Sequence, residues 1–239
     1  MKKVQQFVKA KAGILGLACL IALSFSSCLK DNNDTYVAPP AALVSIVNAL
    51  PGSQPVDVYF DQNIANTYSI NYGNGQDYAR AYTGKRTFTY YTSGTRQQIK
   101  SDTATLAADK FYTTYLTGTT AQPEILVVKD TLVRPATGKA SIRLVNVSAG
   151  TPAVNLVIRG GATLATSKAY KGVSGFVAVA GNTTYTLDIV QAGTSTVLTS
   201  ITNVNLKNDS VYTVWLRGVT TATDANKLTA GIQTNAYYY

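Results

Sequence analysis

The sequence has no histidine, one tryptophan, one methionine, two cysteines and a single glutamate, Glu124. Each shortage closes off chemistry. Without histidine there is no Ser-His-Asp triad, no Cys-His pair and no imidazole base. A zinc site of nitrogen and sulfur ligands is excluded on the same ground, since Cys19 lies in an N-terminal leader and Cys28 stands alone behind it. No D-x-D-x-D-G calcium loop occurs. Glycoside hydrolysis needs two carboxylates about 5–10 Å apart, whereas Asp57 and Asp61 on one extended strand would be about 13 Å apart. The chain therefore reads as non-catalytic, with no cofactor and no metal. A hydrolase built from carboxylates on separate loops is the one enzymatic alternative.

Good helix formers are also scarce. Thr, Val, Tyr and Gly dominate instead, a balance that favours strands and turns. No stretch beyond the leader sustains a 3.6-residue apolar period. The net charge is +9, but four lysines lie in the first 11 residues, which hold no acid, so the remainder carries +5. Its basic residues are scattered, Lys85 and Arg86 being the densest pair, which argues against a nucleic-acid partner.

Residues 1–27 read as a signal peptide. Lysines come first, followed by the apolar run Gly13–Phe25. Thirteen residues are too few to cross a bilayer core, which takes about 20, but they suit a signal h-region. The run ends in Leu23-Ser-Phe-Ser-Ser-Cys28, which resembles the lipobox of bacterial lipoproteins. Cys28 would otherwise be an unpaired thiol in an oxidising compartment. Lipidation at Cys28 supplies the membrane partner and places the protein at the outer membrane. Residues 28–40 form a tether closed by Pro39-Pro40. Its Lys30-Asp31 and Asp34 resemble the export signal of surface lipoproteins in Bacteroidota, which implies display at the cell surface.

The remainder is a duplication. Ala42–Phe60 (ALVSIVNALPGSQPVDVYF) returns as Ala140–Ile158 (ASIRLVNVSAGTPAVNLVI), and Val47/Val145, Asn48/Asn146, Gly52/Gly150 and Val56/Val154 keep one offset of 98. That is too long for a solenoid period and matches a small all-β domain of roughly 100 residues. Val44 and Ile46 share a face, as do Ile142 and Leu144; Ser45 and its counterpart Arg143 occupy the other. The apolar face should point inward. Further strands are expected near 66–72, 78–83, 86–93, 96–101, 110–117 and 124–130. In the second copy they fall near 163–170, 173–179, 183–191, 195–201, 210–217 and 227–236. The expected fold is all-β: two tandem immunoglobulin-like sandwiches, residues 41–133 and 134–239. A short joint at 131–138 should set them end to end.

A second shared block runs from Leu106 to Gly118 and again from Leu206 to Gly218. Leu, then Asp three on, then Tyr three further, reads as a tyrosine corner, so Tyr112 and Tyr212 are expected to be architectural. Asn48 and Asn146, each just before a turn, are expected to tie that turn to its strand.

The blocks VNALPGSQPVDVYFD and DKFYTTYLTG, with their copies, resemble the bacterial family known as domain of unknown function 4397. The likeness is best at Pro55-Val56-Asp57-Val58-Tyr59. The second copy departs there, with Asn155 and Val157. The resemblance implies an exported immunoglobulin-like module and no activity.

Tyrosine is unevenly spread. Nine tyrosines fall between Tyr59 and Tyr115, but only Tyr170, Tyr185 and Tyr212 fall in the second copy before its tail. Tyr90 and Tyr91, being neighbours, must face opposite ways, so part of the excess lies outside the core. Such tyrosines suit sugar rings and protein partners. Tyr115 and Trp215 occupy equivalent outward positions and are candidate ligand contacts, packing being the competing role. The expected function is adhesion, or capture of a glycan or protein ligand, at the cell surface. The alternative is a fibre subunit that polymerises by strand addition, with Ile232–Tyr239 as the strand to watch.

Overall fold

The computed structural model describes residues 38–239. The signal peptide, Cys28 and most of the tether lie outside the described residues. Those described form sixteen strands and no helix. The first copy contributes β1 (Ala41–Asn48), β2 (Val56–Phe60), β3 (Asn63–Ile64), β4 (Gly75–Tyr82), β5 (Gly84–Thr92), β6 (Gln97–Leu106), β7 (Phe111–Gly118) and β8 (Pro123–Asp130). The second contributes β9 (Lys139–Asn146), β10 (Val154–Ile158), β11 (Thr163–Lys168), β12 (Val177–Ala180), β13 (Thr183–Gln191), β14 (Val197–Leu206), β15 (Ser210–Arg217) and β16 (Thr229–Tyr237).

Each copy is a sandwich of two four-stranded sheets. The first has β4-β1-β7-β8 over β3-β2-β5-β6; the second has β12-β9-β15-β16 over β11-β10-β13-β14. β1 runs parallel to β7 and β9 parallel to β15, while the other pairs are antiparallel. Val44 and Ile46 do point inward, packing with Val56, Val58, Phe88 and Tyr90. Ile142 and Leu144 do the same with Leu156, Leu187 and Ile189. Strand alternation delivers both cores from the pattern of apolar residues.

The strand expected at 66–72 is absent. Asn66 turns inward there, and its Oδ1 accepts the Val58 N–H at 2.6 Å. A side chain thus takes the place of ladder pairing, leaving one bridge between Val56 and Ile70. β6 and β14 run further than expected, to Leu106 and Leu206.

The tyrosine corners form as expected. The Ala107 N–H donates to the Tyr112 hydroxyl at 3.1 Å, and the Lys207 N–H to that of Tyr212 at 3.0 Å. Asp109 and Asp209 make the preceding turn at φ of 57° and 53°, a conformation that Asp tolerates better than most residues. The shared glycines that end β7 and β15 have a stricter reason. At Gly118 and Gly218 φ is +92° and +94°, and a Cβ would lie 2.3 Å from a backbone carbonyl oxygen.

The two sandwiches do not stand end to end. Residues 39–239 form one compact unit, joined by the outer faces of the β1 and β9 sheets. A third apolar cluster fills the joint: Val47, Ala49, Tyr115 and Val128 from one side, Val145, Val147 and Trp215 from the other. The contacts are reciprocal. Val47, Ala49 and Tyr115 have Val145, Val147 and Trp215 as their equivalents, and the equivalent pair Tyr72 and Tyr170 both cross the joint, the first under the Arg217 guanidinium at 5.4 Å and the second donating to Glu124 at 3.0 Å. A face that alternation assigns to solvent is therefore covered by the sister copy.

Candidate functional site

Tyr115 and Trp215 lie in this joint, 0% and 4% exposed. As candidate ligand contacts they are corrected by position. Each does face away from its own core, but the face is buried, so both act in packing. Only the edge of Trp215 reaches a cleft at one end of the joint.

At the centre of the joint is a ring of polar side chains. Arg143, 2% exposed, donates through Nη2 to Asp130 and through Nε to Thr213 at 2.9 Å. Thr213 donates to Asn235 Oδ1 at 2.6 Å, and Asn235 Nδ2 donates to the Tyr78 hydroxyl at 2.9 Å. Tyr78 closes the ring by donating to Asp130 Oδ2 at 2.7 Å, where Thr113 also donates at 2.7 Å. Burial, then the Asp130 carboxylate, pushes the Tyr78 hydroxyl far above its ordinary pKa, so it remains a donor. The Arg143 guanidinium also lies 4.7 Å over the Phe176 ring. Every charge here has a protein partner, which makes the ring structural.

The paired asparagines are structural too. Asn48 Oδ1 accepts the Leu50 N–H at 3.3 Å, and its Nδ2 donates to the Ile70 carbonyl at 3.1 Å. Asn146 repeats this with Ser148 and Lys168 at 3.0 Å each.

A different surface stands open. On the outer face of the β2–β5 sheet, Tyr59 and Tyr91 pack edge to face with centroids 5.3 Å apart. Both are half-buried. With Asp57, Asp61, Gln62 and Arg96 they line a shallow cavity of about 760 Å³. Strand alternation builds this face: Val58 and Phe60 go inward from β2, Tyr90 goes inward from β5, and the tyrosines beside them go outward. Beyond them the face is hydroxylic, with Thr89 and Ser101 bonded at 2.9 Å.

The two carboxylates hold loops in place. Asp57 accepts from Ser69 Oγ at 2.8 Å and from Asn66 Nδ2 and the Gly94 N–H at 3.3 Å each. Burial alone would raise its pKa, but these donors outweigh it and keep the carboxyl below its ordinary value. Asp61 is lowered by the Thr87 N–H and then by Arg86, its ion-pair partner at 2.9 Å. Asn155, which replaces Asp57 in the second copy, has the same task, accepting the Ser167 N–H at 2.7 Å. The acidic residue is thus exchangeable because the role is loop anchoring.

The tyrosines are not repeated. Val157 replaces Tyr59 and Val190 replaces Tyr91, on strands that pair in the same register. The fold therefore builds this sheet without an aromatic pair. Sequence reasoning did not single out these two residues. The signal was present in the Tyr59-to-Val157 departure and in the Tyr90-Tyr91 step.

Residues 42–157 match the family model described as Domain of unknown function (DUF4397), so the resemblance to that domain holds over the first sandwich and into β10. No curated protein matches the chain. Among solved structures, the family CBM26 module of Eubacterium rectale Amy13K, crystallised with maltoheptaose, is similar at 11% identity, covering 82% of this chain and 97% of its own, with a TM-score of 0.28. A streptococcal virulence factor that binds α-glucan is similar at 8% identity, covering 70% and 94%, with a TM-score of 0.25. Scores this low have no bearing on ligand or detailed topology.

Proposed function

We propose that the protein is a non-catalytic lipoprotein, anchored at the outer membrane through Cys28 and displayed at the cell surface, where the Tyr59–Tyr91 face captures a glycan. One observation carries the reading: two tyrosines stand outward where the sister copy builds the same sheet with two valines. Packing does not require them, so a contact role accounts for them. Tyrosine rings offer an apolar face to the C–H side of a sugar and a hydroxyl to its polar rim. Gln62, Arg96 and Thr92 supply hydrogen-bonding groups at the edge. The reading as non-catalytic rests on the missing histidine and on both nearby aspartates being committed to loop anchoring.

The fibre alternative meets a structural obstacle. The strand it would donate, β16, is already paired with β15 from Ser210↔Tyr237 to Arg217↔Thr229. It would have to be stripped from its own sheet first.

The test is Tyr59→Val/Tyr91→Val, which copies the sister sheet. Binding on a broad glycan array should fall at least tenfold while the melting temperature falls by no more than about 4 °C, since losing a half-buried aromatic pair costs about 0.5–1.5 kcal/mol and the sister sheet is built with these valines. Undiminished binding would remove this face from the site.

A further inference from the structure

The joint opens at one end into a cleft of about 850 Å³, walled by β4 of the first sandwich and β16 of the second. Neither copy has this cleft alone. Pockets favour such boundaries, and this volume falls within the usual range for ligand sites, about 300–1,000 Å³.

Three features define what it suits. First, the rim is aromatic and open: Tyr68 is 60% exposed and Tyr237 51% exposed. One comes from each copy. Second, three amides line the cleft with Trp215; Gln76 and Asn235 are held by the protein's own groups, which leaves Gln233 as the amide with a free oxygen. Gln233 donates through Nε2 to Ser45 at 2.7 Å, while its Oε1 is buried with no partner among the described residues. A buried amide oxygen left unpaired is costly and calls for a donor. Third, Asp77 is the sole charged side chain in the lining, and no lysine or arginine is present. A phosphate, sulfate or uronate would find no cation there.

We propose that this cleft is a second binding site, for a neutral oligosaccharide, distinct from the Tyr59–Tyr91 face. The unpaired Gln233 oxygen suits such a ligand because a sugar hydroxyl can donate to it. Two exposed tyrosines, one from each copy, offer more than one ring platform, which suits a chain of sugars. Gln233 Oε1 takes a sugar O–H. The site exists only while the two sandwiches are joined.

The experiment uses the whole mature chain on an array of neutral, sialylated, sulfated and uronate-bearing glycans. Hits are repeated by titration calorimetry with the free oligosaccharide. Tyr68→Ala/Tyr237→Ala should weaken binding of a neutral linear glycan at least tenfold without moving the melting temperature. Tyr59→Val/Tyr91→Val should leave that same glycan bound, which separates this site from the first. If the cleft variant binds every hit as well as the parent, the proposal is wrong. The same holds if all hits are anionic, if no glycan binds, or if the cleft takes only peptides. Loss of every hit in Tyr59→Val/Tyr91→Val alone would leave one site, on the sheet face.

Discussion

Replacing Arg143 with alanine tests whether the two sandwiches are one folding unit. The side chain is buried between them, in an ion pair whose partners are 2% and 0% exposed. Its loss leaves Asp130 buried with only the Tyr78 and Thr113 hydroxyls as donors, and leaves Thr213 without the Nε donor. Breaking one side of a buried pair costs about 3–5 kcal/mol. For a unit of some 200 residues each kcal/mol lowers the melting temperature by about 2–4 °C, so a fall of roughly 6–20 °C is expected. The protein carries its own reporter, because its one tryptophan lies in the joint. Urea unfolding followed by Trp215 emission and by circular dichroism should give coincident curves, both displaced in the variant. Arg143→Met/Asp130→Leu should recover most of the loss, since apolar residues often replace a buried pair at little cost. The reasoning fails if Trp215 emission changes at lower urea than the circular dichroism, which would mean a joint that opens before its halves unfold. A loss below about 1 kcal/mol would refute it as well.

Other outcomes follow from single contacts. Tyr112→Phe and Tyr212→Phe each orphan a backbone N–H and should cost about 1–2 kcal/mol in chemical denaturation. Tyr115→Phe should cost nothing or stabilise, because that hydroxyl is buried without a partner among the described residues. Asp57, Asp61, Glu124 and Asp188 all have lowered pKa values in the fold. Their contribution is complete above the unfolded carboxylate range, about 4, and is lost as pH falls through the lower folded values. Stability should therefore be flat from pH 5 to 7 and decline below pH 4, as thermal melts across that range would show. Cys28→Ala should move the protein out of the membrane fraction or leave its precursor uncut; a processed protein retained after carbonate washing would overturn the anchor.

Most of the fold was legible because two copies were available for comparison. Positions kept apolar in both, such as Val44/Ile142 and Ile46/Leu144, marked the inner faces, and the Leu-Asp-Tyr spacing marked the corners. The joint was not legible. Arg143 and Ser45 look like solvent-facing residues because strand alternation says only which face a residue takes, not what covers it. The same gap misplaced Tyr115 and Trp215: their outward direction was right, and the sister copy occupies that side. The lost strand at 66–72 has a local cause, an asparagine whose amide substitutes for the ladder. For the open tyrosines, the clue lies in where the copies differ, whereas Tyr115 and Trp215 are large aromatics at a place where they agree.

The face-to-face joint has a bearing on ancestry. Reciprocal contacts between equivalent residues are the signature of an isologous pair, so a single-sandwich ancestor could have met a second molecule of itself through this same surface. Fusion in one chain makes such a partnership indifferent to dilution. It also lifts a constraint. In a homodimer, any arginine placed at the seam appears twice, and both must be satisfied. The tandem chain puts arginine in one half and serine in the other, aspartate in one and asparagine in the other. Each half then needs to carry only its share, and substitutions forbidden to a dimer become permitted.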